Sequence, residues 1–292
     1  MYKIIKDYKD NKVLRDSFNL LAEKTFGLNF EGWYQTGYWR EKYIPYSVVI
    51  DDEVVANVSV NITDILWDGS VKHLIQLGTV MTDERYRNKG LIRKIISEIE
   101  KDYNDKTDGM YLFANNEVLN LYPKFGFHKE VEYGYSVLKN AQINNSSESE
   151  MLQILMNDKD KWSELETAIK NNRYKGQFGM VNNEGLIMFY VTQFMQENVY
   201  YCKKLKTYVI AEIEEEEMFI HNIFSEISVA LEDVINSFGN EIKKVKLGFV
   251  PSDKEKYISD MVNEEDTTLF VKGKIFDGFE DRKIMFPTLA HA

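Results

Sequence analysis

The stretch Val80-Met81-Thr82-Asp83-Glu84-Arg85-Tyr86-Arg87-Asn88-Lys89-Gly90-Leu91-Ile92-Arg93-Lys94 decides the reading of this chain. An apolar run from Leu74 to Met81 leads into it and reads as a buried strand. An amphipathic helix carrying Leu91, Ile92, Ile95, Ile96 and Ile99 leads out of it. Between the two lie a short turn and a basic cluster with one glycine. Backbone N–H groups at a helix N-terminus are unpaired within the helix, and the helix dipole favours negative charge there. Arg87 and Lys89 add formal charge, while Gly90 lets a ligand approach the backbone closely. Strand, basic turn, glycine and helix start together make an anion cradle suited to a pyrophosphate.

The same residues carry a family resemblance. Arg87-Asn88-Lys89-Gly90-Leu91-Ile92 resembles the Arg/Gln-x-x-Gly-x-Gly/Ala acetyl-CoA loop of the GNAT acetyltransferase superfamily. Downstream, Asn115-Asn116-Glu117-Val118-Leu119-Asn120-Leu121-Tyr122-Pro123-Lys124-Phe125-Gly126-Phe127 is similar to that superfamily's second signature, an Asn before a short helix ending in Tyr-x-Lys-x-Gly-Phe. Ile92 stands where most members have Gly or Ala, and a branched residue there would crowd a pyrophosphate. Arg-x-x-Gly-Leu-aliphatic nevertheless resembles the variant of the two-domain, enhanced-intracellular-survival-type acetyltransferases, so Ile92 is read as a subfamily mark.

The resemblance implies acetyl-CoA as co-substrate and no metal. It implies that Val80, Met81 and Thr82 lie on a strand that splays from its neighbour, freeing backbone groups for the pantetheine arm and the thioester oxygen. Asn115 would contact the cofactor, although an N-cap role alone accounts for it. Tyr122 would be the general acid that protonates the leaving CoA thiolate. With 18 tyrosines in the chain, a core tyrosine packed on Phe125 and Phe127 is the plain alternative.

At 292 residues the chain is long for one domain and comfortable for two. A hydrophobic share of 44% with 13% aromatics supports packed cores. No apolar run reaches the length of a membrane span, and the charged N-terminus has no signal-peptide core. Cys202 is the only cysteine, which excludes an internal disulfide and a cysteine metal cluster, so a cytoplasmic protein is expected. Residues 1–140 carry 19 basic and 21 acidic side chains, and residues 141–292 carry 17 and 26. An acidic surface repels nucleic acid and anionic membranes and favours cationic partners such as amines.

The expected fold is α/β: a GNAT-like mixed central sheet with flanking helices over residues 1–140, then a degenerate GNAT-like domain over 151–292. The polar segment Asn140–Glu150 reads as a linker. In the first half, residues 12–26 have helical spacing, and strands are expected at Tyr46–Ile50, Val54–Ile62, Gly109–Ala114 and Tyr133–Leu138. In the second half, strands are expected at Gly185–Val191, Val199–Tyr201, Tyr208–Glu212, Met218–Phe224, Val245–Val250 and Thr268–Val271. Helical stretches are expected at Val229–Phe238 and near 252–262. The position matching the cradle, Phe224-Ser225-Glu226-Ile227-Ser228-Val229-Ala230, has no glycine and no base, so no CoA is expected there.

The expected function is direct transfer of an acetyl group from acetyl-CoA to a primary amine, either a small molecule or a peptide. Homo-oligomerisation is left open. No general base stands out, since His73 and His128 flank core strands. The apolar tail Met285-Phe286-Pro287-Thr288-Leu289-Ala290-His291-Ala292 reads as tucked into the protein. In the relatives named above a C-terminal carboxylate enters the active site, which puts the Ala292 carboxylate or His291 near the acceptor, with a plain ordered terminus as the alternative. The aromatic run Phe30–Trp39 is either acceptor wall, core or dimer contact. A non-catalytic acyl-CoA sensor, and an interaction protein using its acidic second half, are the alternatives to an enzyme.

Overall fold

The computed structural model describes residues 2–139 and 150–291, so the linker expected at 140–150 lies, except for Glu150, outside the described residues. The first half supplies β1 (Lys3–Lys6), α1 (Lys12–Phe26), α2 (Glu31–Thr36), β2 (Tyr43–Ile50), β3 (Glu53–Trp67), β4 (Ser70–Thr82), α3 (Leu91–Tyr103), β5 (Gly109–Ala114), β6 (His128–Lys129) and β7 (Tyr133–Leu138). The second half opens with β8 (Leu152–Gln153), α4 (Lys159–Lys170), β9 (Phe178–Val181), α5 (Glu184–Gln193) and β10 (Val199–Cys202). It continues with β11 (Thr207–Glu214), β12 (Glu217–Ser225), α6 (Leu231–Asn236), β13 (Lys244–Leu247), β14 (Ile258–Met261) and β15 (Thr268–Lys272).

Two mixed sheets result, and they repeat one topology. The first runs β1-β2-β3-β4-β5-β15-β6 and the second β8-β10-β11-β12-β13-β7-β14. Each has three antiparallel pairings, one parallel pairing (β4 with β5, β12 with β13) and two further antiparallel ones. The last strands are exchanged. β7, from the first half, lies between β13 and β14, and β15, from the second half, lies between β5 and β6. Strand β9 adds a further tie by pairing with the Asp64–Trp67 end of β3. The sequence boundary near 140 therefore does not separate the two sheets, because each is completed by a strand of the other half.

The helices cover the sheets with their apolar faces. Leu91, Ile95, Ile96 and Ile99 of α3 are buried against β2, β3 and β4. Helix α1 is capped by Asn11, whose side chain accepts from the N–H groups of Val13 and Leu14.

Two expectations in the second half are corrected. Gly185–Val191 is helix α5, not a strand. It contacts α2, α4 and the C-terminal tail, so it is apolar on every side and shows no 3.6-residue stripe. The segment near 252–262 holds only a single 3₁₀ turn, Lys254–Lys256, followed by β14. β14 is the outermost strand of its sheet, and its exposure is that of an edge strand. The helix expected over Val229–Phe238 shrinks to Leu231–Asn236.

Candidate active site

Strands β4 and β5 are paired only from Leu74/Gly109 to Gln76/Tyr111. Beyond that point they part, and a cavity of about 360 Å³ opens between Leu77–Val80 on one side and Phe113–Asn115 on the other. Its remaining walls include Phe30, Trp33 and Tyr43 from the first half and Phe189, Tyr190 and Phe194 from the second. The aromatic run expected as acceptor wall is therefore divided. Phe30 and Trp33 face the cavity, while Trp39 is buried in the core and donates its indole N–H to the Tyr43 carbonyl at 3.1 Å.

A β-bulge marks the point of parting. Asn57 pairs with Met81 and Ser59 with Gly78, so Thr79 and Val80 together oppose Val58. Thr79 sits at φ 47°, a conformation a β-branched residue adopts only under constraint. The constraint is visible. The Tyr43 hydroxyl and Thr79 Oγ1 are 2.6 Å apart, and Asn57 Nδ2 donates to the Thr79 carbonyl at 2.9 Å. Asn57 is wholly buried and is itself held by Ser59 (2.9 Å) and by Ser47 (2.8 Å), which in turn meets Tyr8 at 2.6 Å.

The predicted strand residues fall on different sides of this bulge. Val80 lines the cavity. Met81 is buried in the cluster with Phe18, Phe30 and Trp33, the last two of which also line the cavity. Thr82 is half-buried at the strand end, paired with Ala56.

The cradle stands at the head of α3. Asn88 and Gly90 both take left-handed conformations, at φ 62° and 71°. Gly90 is the N-cap and offers no side-chain hydrogen bond to the first turn. Nothing lies within 4 Å of where its Cβ would be, so the space over the helix end is open. Arg87 and Lys89 are exposed; Arg87 approaches Glu84 only to 4.0 Å, and the Lys89 ammonium lies over the Tyr86 ring. Leu91 is buried and Ile92 packs against the same core. The branched Ile92 side chain thus turns inward and leaves the backbone donors uncovered.

Tyr122 and Asn115 line the cavity from the β5 side. Tyr122 is 3% exposed, packed on Phe127 and Phe270, and burial pushes its phenol up to about 12. A phenol so placed keeps its proton at neutral pH and is available as an acid. Asn115 begins the 3₁₀ turn Asn116–Val118 without making a side-chain cap bond.

Two contributions lay outside the predicted site. Thr79 and Tyr43 carry no sequence signature, since a bulge depends on pairing register. His291, set aside in the sequence reading, lines the cavity and stacks on Phe113 with ring centroids 3.7 Å apart. Its carbonyl accepts from the Tyr190 hydroxyl, the Ala290 carbonyl accepts from Tyr111 at 3.0 Å, and burial pushes its imidazole down to about 4. Its Nε2 is buried without a hydrogen-bond partner among the described residues. Ala292 lies outside the described residues.

The matching cleft of the second sheet is filled. There β12 and β13 are paired as far as Ile220/Leu247. The next residue, Gly248, accepts from the Thr288 N–H at 2.9 Å, while His221 Nδ1 and Thr288 Oγ1 are 3.0 Å apart. The C-terminal tail thus occupies the place that stays open in the first sheet. Cys202 is buried in β10 and is not among the residues lining the open cleft. Among the described residues no group of three or more His, Cys, Asp or Glu could hold a metal ion, and no helix is long and apolar enough to cross a membrane.

Comparison with known proteins agrees with this geometry. The Acetyltransferase (GNAT) family profile matches residues 14–127. Among solved structures, a conserved protein and probable N-acyltransferase from Enterococcus faecalis V583 is similar at 14% identity and a TM-score of 0.59, covering 93% of this chain and 72% of its own. Eis1 from Mycobacterium abscessus is similar at 11% identity and a TM-score of 0.58, with coverages of 92% and 73%. A GCN5-related N-acetyltransferase from Anabaena variabilis ATCC 29413 gives 11% identity and a TM-score of 0.56, with coverages of 93% and 72%. These likenesses are of fold. No curated protein sequence matches the chain significantly.

Proposed function

We propose that this chain, whose residues 14–127 match the Acetyltransferase (GNAT) family profile, moves the acetyl group of acetyl-CoA to a primary amine by direct attack. The observation that carries the reading is the open cleft between β4 and β5, bulged at Thr79 and continuous along β4 with the uncovered head of α3. Arg87, Asn88, Lys89, Gly90, Leu91 and Ile92 would hold the pyrophosphate, mainly through backbone donors at the helix end. Val80, Met81 and Thr82 would carry the pantetheine arm on the β4 backbone, and Asn115 would close the cleft from β5.

In the reaction the neutral amine nitrogen forms a bond to the thioester carbon. The C–S bond then breaks, and Tyr122 gives its proton to the departing sulfur. The nitrogen loses its surplus proton, which restores the phenol, and the products are the amide and free CoA. The ammonium must first give up one proton to solvent, and His291, the imidazole lining the cleft beside Phe113 and pushed down to about 4, can relay that proton but not retain it. A covalent route through Cys202 finds no support, since that thiol is buried and does not line the cleft.

The test is calorimetric titration of acetyl-CoA into the wild type and an Arg87→Ala/Gly90→Asp double variant. The wild type should bind, and the folded variant should lose at least tenfold in affinity. A folded wild type that does not bind acetyl-CoA would remove the reading. Binding followed by a screen of primary amines then identifies the acceptor.

A further inference from the structure

The cleft between β4 and β5 carries no charged side chain. Its walls come from α2, β2, β4, β5, α5 and the tail, yet no aspartate, glutamate, lysine or arginine is among the lining residues. Its titratable members are Tyr43, Tyr122, Tyr190 and His291. Burial pushes the Tyr43 and Tyr122 phenols up to about 12, raises the Tyr190 phenol, and pushes the imidazole down to about 4. All four are therefore uncharged at pH 7.

The mouth is apolar as well. Of the 17 phenylalanines in the chain only Phe26 and Phe194 are exposed, at 43% and 54%, and both line this cavity. Apolar side chains left in water at the edge of a concave site are a mark of ligand contact.

This lining sets a condition on the acceptor. An ammonium entering the cleft would leave water for a place with no carboxylate to receive it, and that loss exceeds what aromatic faces return. Several of those faces are already taken. Phe30 stacks on Phe189 with centroids 5.6 Å apart at 3°, and Trp33 on Trp39 at 5.5 Å and 14°. Nor does the lining hold a group that keeps a proton at pH 7, since the imidazole is its strongest base. An amine already neutral in water meets neither obstacle. When the nitrogen is bonded directly to an aromatic ring its lone pair is delocalised, so it stays unprotonated at pH 7, and the ring suits the walls.

We propose that the acceptor is an aromatic primary amine of the aniline class, its ring held between Phe26 and Phe194 at the mouth and the inner aromatic wall. The inference rests on the acetyl-transfer reading of the cleft and names its substrate class. The neutral nitrogen bonds to the thioester carbon, the C–S bond breaks, and the sulfur takes the Tyr122 proton. The surplus proton on nitrogen returns to the phenolate, and the products are the N-aryl acetamide and free CoA.

The test uses the full chain and two isomeric probes, p-toluidine and benzylamine, of which only the second is protonated at pH 7. Calorimetric affinities are measured on the CoA complex, and transfer from acetyl-CoA is followed by release of the free thiol. The complex should bind p-toluidine at least tenfold more tightly than benzylamine at pH 7. The p-toluidine rate should be flat between pH 6 and 8, whereas any benzylamine rate should climb close to tenfold per pH unit as its neutral fraction grows. Phe26→Ser/Phe194→Ser alters exposed positions, so the fold should persist; p-toluidine affinity should fall severalfold and acetyl-CoA affinity should not change. Equal or tighter binding of benzylamine, or no transfer to p-toluidine by a protein that binds acetyl-CoA, would overturn the substrate class and leave the cleft reading intact. Tighter binding of octanoyl-CoA than acetyl-CoA, lost in the same double variant, would also overturn it by giving the apolar space to a long acyl chain. Failure of acetyl-CoA to bind the folded wild type would overturn the cleft reading and this inference with it.

Discussion

Asn57 donates its side-chain amide to the carbonyl of Thr79 at 2.9 Å, and this bond holds the bulge at which β4 leaves β5. Removing the amide leaves the Thr79 carbonyl without its buried side-chain donor and the Ser47 hydroxyl with Tyr8 as its remaining side-chain partner. Asn57→Ala should therefore destabilise the fold by about 1–3 kcal/mol, the usual cost of orphaned buried polar groups. Because Thr79 would also relax from its left-handed conformation, turnover should fall more than acetyl-CoA affinity. Thermal unfolding paired with kcat and Kd measurements separates the two effects, and a variant of native turnover would show that the bulge does not position the thioester.

The Tyr122 hydroxyl makes no hydrogen bond among the described residues, and burial alone accounts for its raised pKa. Tyr122→Phe keeps the ring contacts with Phe127 and Phe270 and removes only the proton. Stability and acetyl-CoA affinity should stay level while kcat drops by about 10²–10⁴-fold, the usual contribution of a general acid. With the phenol held near 12, no loss of activity from its ionisation should appear between pH 6 and 9. An unchanged kcat would assign the protonation of the leaving thiolate to another group.

The first half of this molecule was legible because its signals are local. The helix over 12–26, the strands at 109–114 and 133–138, and the turn before α3 each follow from neighbouring residues. What was hidden depends on pairing between distant segments. The exchange of β7 and β15 leaves no trace in composition, since each strand is equally apolar in either sheet. The bulge at Thr79 is a matter of register against Asn57 and Ser59, and register is not written in a single strand. Helix α5 was misread because burial on all sides erases the stripe by which a helix is recognised. Tyr122 and Asn115 could be placed from a motif, whereas His291 reaches the cleft only because Phe286, Leu289 and Ala290 anchor the tail in the core.

Strand exchange predicts how the chain tolerates division. Without β15, strand β5 would lose its antiparallel partner across Thr268–Lys272, and the buried Leu269, Phe270 and Val271 would be missing from the core. A polypeptide of residues 1–139 expressed alone should therefore be aggregated or unfolded and should bind no acetyl-CoA. Co-expression with residues 150–292 should restore a soluble complex with measurable affinity. A stable, monomeric, acetyl-CoA-binding 1–139 fragment would contradict the dependence of each sheet on the other half.

His291 makes the tail a source of acid sensitivity. Burial against Phe113 holds its imidazole neutral down to about pH 4, whereas the unfolded chain takes up the proton near its ordinary value of about 6.5. The folded pKa is the lower one, so the stabilisation is fully present above about 6.5 and is lost as pH falls through 4. Because the residue is only half-buried, the loss should be on the order of 1–2 kcal/mol. His291→Phe keeps a ring against Phe113 and cannot titrate, so its unfolding midpoint should decline less than the wild type's between pH 6.5 and 4. The same variant tests chemistry independently. If the imidazole receives the amine's proton, transfer should slow at pH 7, where stability is unaffected, and recover partly as pH rises and more of the amine arrives already neutral. Full turnover at pH 7 in a variant with the flattened stability profile would leave His291 a packing residue and move the base elsewhere.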